Sequence, residues 1–138
     1  MTYPSREFTE RFHQIARTEG WGSPPLPVQS LGMWEDFVEE CEIGYASDLS
    51  EYLNDLSVRQ LLQKVLDDAE AKRTETYLPF AQRVRRIYER FHEVVNEGPE
   101  VRPRSECWWD RRLPATGAAE FVADVWERYA VDLRTADS

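Results

Sequence analysis

The sequence predicts a single all-α domain, a bundle of five or six mostly antiparallel helices with a long irregular loop before the last one. The basis is periodicity: apolar residues recur at three- and four-residue spacing through most of the chain. No stretch sustains period-two alternation, and β-branched residues do not cluster as strands require. Glycines, prolines and capping side chains interrupt the apolar runs at lengths that suit helices.

The elements follow in order. Ser5 is placed to cap a first helix reaching about residue 18, with Phe8, Phe12 and Ile15 on one face and Gly20 as its stop. Residues 20–29 read as a loop because Pro24, Pro25 and Pro27 oppose regular structure. A second helix spans about residues 31–42. It sets Trp34, Phe37, Val38 and Cys41 on one stripe, opposite Glu35, Asp36, Glu39 and Glu40, and Gly44 ends it.

Ser47 or Asp48 opens the third helix, with Leu49, Tyr52, Leu53 and Leu56 inward. The apolar spacing then jumps to Leu61, Leu62, Val65, Leu66 and Ala69, a five-residue gap that breaks the 3.6 period, so a kink or a fresh start capped by Ser57 is expected. Pro79 suits the first turn of a further helix carrying Val84, Ile87, Tyr88, Phe91, Val94 and Val95, which Gly98 and Pro99 terminate. Residues 99–114 read as irregular. Thr116 is expected to cap a last helix with Phe121, Val122, Val125 and Tyr129 inward and Trp126 flanking them; residues 135–138 are expected to fray.

At 138 residues the chain matches one ordinary domain, able to bury a core without disulfides. Its 26 acidic and 17 basic residues leave a formal charge of −9. That balance disfavours nucleic acid and anionic membrane surfaces, whose phosphates call for Lys and Arg, and favours a basic protein partner. Cys41 and Cys107 are too few for a disulfide framework and are read as reduced. Residues 1–11 lack the apolar run of a signal peptide, and no segment has the apolar length of a membrane span, so a cytoplasmic location is expected.

Three motifs carry chemical suggestions. Leu113-Pro114-Ala115-Thr116-Gly117 matches the signal cleaved by sortases, but the charged residues after it are unlike the apolar segment that follows the motif in that family. Pro24-Pro25-Leu26-Pro27 resembles short ligands of WW and SH3 domains, and is better read as a stiff interhelical loop. Glu-Arg-Phe-His occurs at residues 10–13 and 89–92, and paired Glu-x-x-His on separate helices resembles the di-iron carboxylate bundles. A helical wheel sets Glu10, His13 and Glu89 away from the apolar stripes, with His92 at an edge, so no metal or other cofactor is expected. Cys41 falls on an apolar stripe, and no nucleophile–base–orienter set can be assembled.

Charge is distributed unevenly. Glu35, Asp36, Glu39, Glu40, Glu42, Asp48, Glu51 and Asp55 fall in a window free of Lys and Arg, whereas Arg83, Arg85, Arg86, Arg90, Arg102, Arg104, Arg111 and Arg112 crowd the later half. The two sets pair internally, present a partner-facing surface, or simply form solvated faces, as a charge run usually does. The expected function is that of a small acidic protein-binding domain, an immunity or antitoxin-like inhibitor of a basic partner. Glu35, Asp36, Glu39 and Glu40 would steer association, with Trp108, Trp109 and Arg111 as contact residues. The alternatives are a helical enzyme or small-molecule or metal binder using the Glu-x-x-His pairs, and a structural or regulatory subunit, for which a homodimer is one form.

Overall fold

The computed structural model describes residues 3–136 and is an all-α helical bundle. Its helices are α1 (Arg6–Thr18), α2 (Pro27–Ile43), α3 (Leu49–Asp67), the single turn α4 (Ala69–Lys72), α5 (Tyr77–Asn96) and α6 (Ala119–Tyr129). A short 3-10 turn, Trp108–Asp110, lies in the irregular segment after α5. Two strands of two residues each, β1 (Thr116–Gly117) and β2 (Arg134–Thr135), flank α6.

The helix boundaries follow from local chemistry. The Ser5 hydroxyl accepts the Phe8 N–H and so caps α1, and the Ser5 N–H donates in turn to the buried Thr76 Oγ1 at 2.8 Å. This ties the start of α1 to the start of α5. Asp48 caps α3 by accepting from Glu51 N. Pro79 lies in the first turn of α5 as expected.

Helix α2 starts earlier than the sequence reading allowed. Pro27 occupies its first position, where a missing N–H costs nothing, and the Gln29 side chain accepts the Leu26 N–H at 2.8 Å. Gly44 ends the helix at φ 129°, a backbone region that L side chains rarely adopt.

The expected break at Ser57 is absent. Helix α3 runs unbroken to Asp67 because the gap between Leu56 and Leu61 is filled by Val58 and Arg59, which are 1% and 2% exposed. The Ser57 hydroxyl donates to the Asn54 carbonyl within the same helix instead of capping a new one. The interruption comes at Asp68, which takes an extended backbone and caps α4 by accepting from Ala71 N. Leu53 and Ala69, expected inward, are exposed, whereas Ala71 is buried.

Helix α3 is the hub, packing against α1, α2, α4 and α6, while α5 lies along α2. Aromatic rings dominate the core. Phe8, Phe12 and Phe80 form one cluster; Trp34, Phe37, Tyr45, Tyr52, Phe91 and Phe121 form a second, with centroid spacings of 5.2 to 5.9 Å.

Two further expectations fail near the C-terminal end. Thr116 belongs to β1 and caps nothing; the N-cap of α6 is Ala118, without a side-chain bond. Residues 135 and 136, expected to fray, are held. Strand β2 pairs in parallel with β1, and Ala136 N donates to Gly117 O at 2.8 Å. Tyr45 bridges Gly117 from the other side, so β1 is flanked by the α2–α3 connection and by the tail. The expected fraying of residues 137 and 138 lies outside the described residues.

Two consequences can be measured. Asp68 receives the Arg11 guanidinium at 2.8 Å through both carboxylate oxygens, which together with the Ala71 N–H holds its pKa below the ordinary carboxylate value. Its stabilising contribution is therefore full above about pH 4 and is lost as pH falls through the lowered folded-state value. Asp68→Asn keeps a capping oxygen but loses the ion pair. It should cost roughly 1 kcal/mol at neutral pH, and its urea-unfolding free energy should converge with the parent's in acid. Gly98→Ala would drive a Cβ into the Leu113 carbonyl, so unfolding free energy should fall by more than about 2 kcal/mol.

Candidate functional site

Helix geometry divides the α2 acids into two rows. Glu35, Glu39 and Glu42 stand at i, i+4 and i+7 on the side facing α5, and Asp36 and Glu40 form a second i, i+4 row. The first row converges on Arg90 of α5, whose guanidinium lies 2.6 Å from Glu42, 3.3 Å from Glu35 and 3.9 Å from Glu39. Hydrogen bonding to Glu42 raises the Arg90 pKa above its ordinary value. Internal pairing of the acidic and Arg-rich halves, one of the readings open in the sequence, thus holds for these three glutamates.

The second row faces α3. Asp36 and Glu40 join Asp55 around an open cavity of about 330 Å³, edged by Trp21, Met33 and Val58. Among the described residues none of the three carboxylates forms an ion pair, and the cavity wall holds no Lys, Arg or His. The Tyr45 hydroxyl donates a hydrogen bond to Asp55 Oδ2 at 2.7 Å, which fixes that carboxylate; burial first, and that hydrogen bond next, push the Tyr45 pKa up. A ring of carboxylates with an aromatic and a thioether edge has the chemistry to hold a cationic head and its apolar stem.

Trp108, Trp109 and Arg111 lie elsewhere. The 3-10 turn presents both tryptophans inward with rings at 90° and centroids 5.9 Å apart. Trp109 is buried and Trp108 half-buried, the latter seated on Tyr88 at 4.2 Å. Arg111 is exposed, but its Nε donates to the Ser105 carbonyl at 2.6 Å, and Arg112 donates to the Gly98 carbonyl at 3.0 Å. These two arginines fasten the irregular segment to itself and to the end of α5.

Sequence reasoning missed Arg59. Its guanidinium carbon lies 4.7 Å from the Trp109 ring centroid, 5.7 Å from those of Tyr88 and Trp108, and 5.9 Å from that of Trp34. No carboxylate pairs with it among the described residues, and burial lowers its pKa to about 10, leaving it charged at neutral pH. The signal that could have found it was the break in the α3 apolar period, read together with the tryptophan pair.

The two Glu-x-x-His motifs stay apart. His13 packs edge-on against Phe12 within α1, and His92 lies beside Tyr88 and Trp108. No three His, Cys, Asp or Glu side chains converge to hold a metal ion among the described residues. Cys41 is buried on the α2 stripe, with its pKa raised by burial, as a small core residue should be. No helix among the described residues is long and apolar enough to cross a membrane.

The Arg90 cluster is testable. Arg90→Met should lower unfolding free energy by about 1 kcal/mol at low ionic strength. The difference should shrink in roughly 1 M salt, which a denaturant titration at two salt concentrations resolves. Comparison with protein-family models, curated proteins and solved structures returns no match, leaving the chain's own side chains to indicate its chemistry.

Proposed function

We propose that the chain is a protein-binding domain that receives a basic partner at the groove between α2 and α3, in the manner of an immunity or antitoxin-like inhibitor. One observation carries this reading. Asp36, Glu40 and Asp55 surround a cavity without a cation of the chain's own, whereas Glu35, Glu39 and Glu42 on the same pair of helix turns share Arg90. An incoming Lys or Arg would supply the counter-charge that the cavity wall lacks. Trp21 and Met33 at the edge suit its methylene stem.

The net charge of −9 adds a long-range attraction for a cationic protein, which raises the association rate more than the final affinity. Of the acids named from the sequence, Asp36 and Glu40 are the proposed contacts; Glu35 and Glu39 contribute to the field while paired with Arg90.

The test compares the parent chain with the Asp36→Lys, Glu40→Lys double variant, both immobilised and exposed to lysate of the source cells at low salt. The expected result is a basic protein retained by the parent, released as salt rises, and absent from the variant. Because Asp36 is exposed and Glu40 half-buried, the variant should unfold within about 1 kcal/mol of the parent. Retention of the same protein by the double variant, or no salt-sensitive capture by the parent, overturns the proposal.

A further inference from the structure

A second cavity, of about 450 Å³, opens between α3, α4 and α5, away from the acidic groove. Arg59 forms part of its wall. This side chain is 2% exposed, and its Nε and one terminal nitrogen have no acceptor among the described residues. The other terminal nitrogen donates to Gln63 Oε1 at 2.9 Å, and Gln63 Nε2 donates onward to Asp67 Oδ1 at 3.0 Å. The two bonds form a relay along one face of α3. In it, the neutral oxygen of an amide stands where a guanidinium ordinarily meets a carboxylate.

The remainder of the wall has two characters. Lys72 and Arg85 add positive charge and Asp67 and Glu89 negative, so with Arg59 the cavity carries a net charge of about +1 in a protein of net −9. Leu66, Val84 and the rings of Tyr77 and Tyr88 supply an apolar side. The Tyr77 hydroxyl is already given to the Leu66 carbonyl at 2.7 Å, so that ring offers its face and not its oxygen. The volume lies within the range of small-molecule sites.

We propose that this cavity binds a small monoanionic carboxylate carried on an apolar or aromatic body, its oxygen taking the acceptor position on Arg59 now held by the Gln63 amide. The planar amide and a carboxylate have the same shape, and Gln63 is half-buried at the cavity wall, so an entering carboxylate displaces the amide, which gives up its bonds to Arg59 and Asp67 and turns toward solvent. Arg85, exposed at the rim, attracts the anion on entry, and the tyrosine faces and Val84 cover its apolar part.

The test uses benzoate as probe, with benzamide and phenyl phosphate as comparisons, read by calorimetry and by tryptophan fluorescence, to which Trp108 and Trp109 contribute. Benzoate should bind the full chain one-to-one and shift its melting temperature upward, whereas benzamide, which has no charge, should not bind. Gln63→Glu places a carboxylate permanently on Arg59 and should weaken benzoate at least roughly tenfold. Gln63→Ala, which clears the position, should retain binding. Arg85→Gln should weaken it by roughly threefold or more. Arg59→Met should abolish binding, and should remain folded because an apolar side chain of similar volume replaces a buried charge. Should that variant fail to fold, the Gln63 pair decides alone. No benzoate binding by the parent up to about 10 mM, or unchanged binding by Gln63→Glu, overturns the proposal. Tighter binding of phenyl phosphate than of benzoate overturns the assignment of a monoanion.

Discussion

A helix enclosed by neighbours on several sides must bury whatever its sequence places there, and α3 is in that position. With α1, α2, α4 and α6 around it, no single apolar stripe suffices. Leu49, Tyr52, Leu56, Val58, Leu61, Leu62 and Val65 are all buried, and so is Arg59. A cation taken out of water without a carboxylate needs another source of negative potential. Here the faces of Trp34, Tyr88, Trp108 and Trp109 supply it. Helix α2, helix α5 and the irregular segment each contribute to that enclosure, so the packing of three parts of the chain is coupled to one side chain.

The irregular segment is therefore not loose. Its 3-10 turn sets two tryptophans against Arg59, and its ends are drawn together by Val101 N donating to Arg111 O at 2.8 Å and Leu113 N donating to Pro99 O at 3.0 Å. Arg111 and Arg112 fasten it further through backbone carbonyls. At Gly98 the backbone passes the Leu113 carbonyl so closely that no side chain fits between them. The segment reads as a loop because its hydrogen bonds follow no repeating pattern, yet its backbone and side-chain bonds are largely internal.

Electrostatics divide the surface. Arg90 is shared by one row of α2 glutamates and joins α2 to α5, the adjacent row is left to the α3 side, and the cavity beyond Arg59 has a small positive balance. Among the described residues, a groove lined by carboxylates and a cavity with a small positive balance thus lie on different sides of the same helix. The first follows from side-chain spacing on α2; the second follows from a charge that the core could not exclude.

The all-α class, the caps at Ser5 and Asp48, the stop at Gly44 and the inward stripe of Trp34, Phe37, Val38 and Cys41 were legible in the residues alone. Each depends on neighbours within about four positions, the range over which helical periodicity and capping operate. The unbroken course of α3, the capture of residues 135–136 by β1 and the division of the α2 acids between Arg90 and Asp55 were decided only by tertiary structure. So was the inward turn of both tryptophans onto Arg59. These features join residues far apart in the chain, and no local pattern records which distant ring, carbonyl or guanidinium will stand opposite. An arginine in a gap of an apolar period has the same local signature whether it meets water or an aromatic enclosure; the packing of the other helices makes the difference.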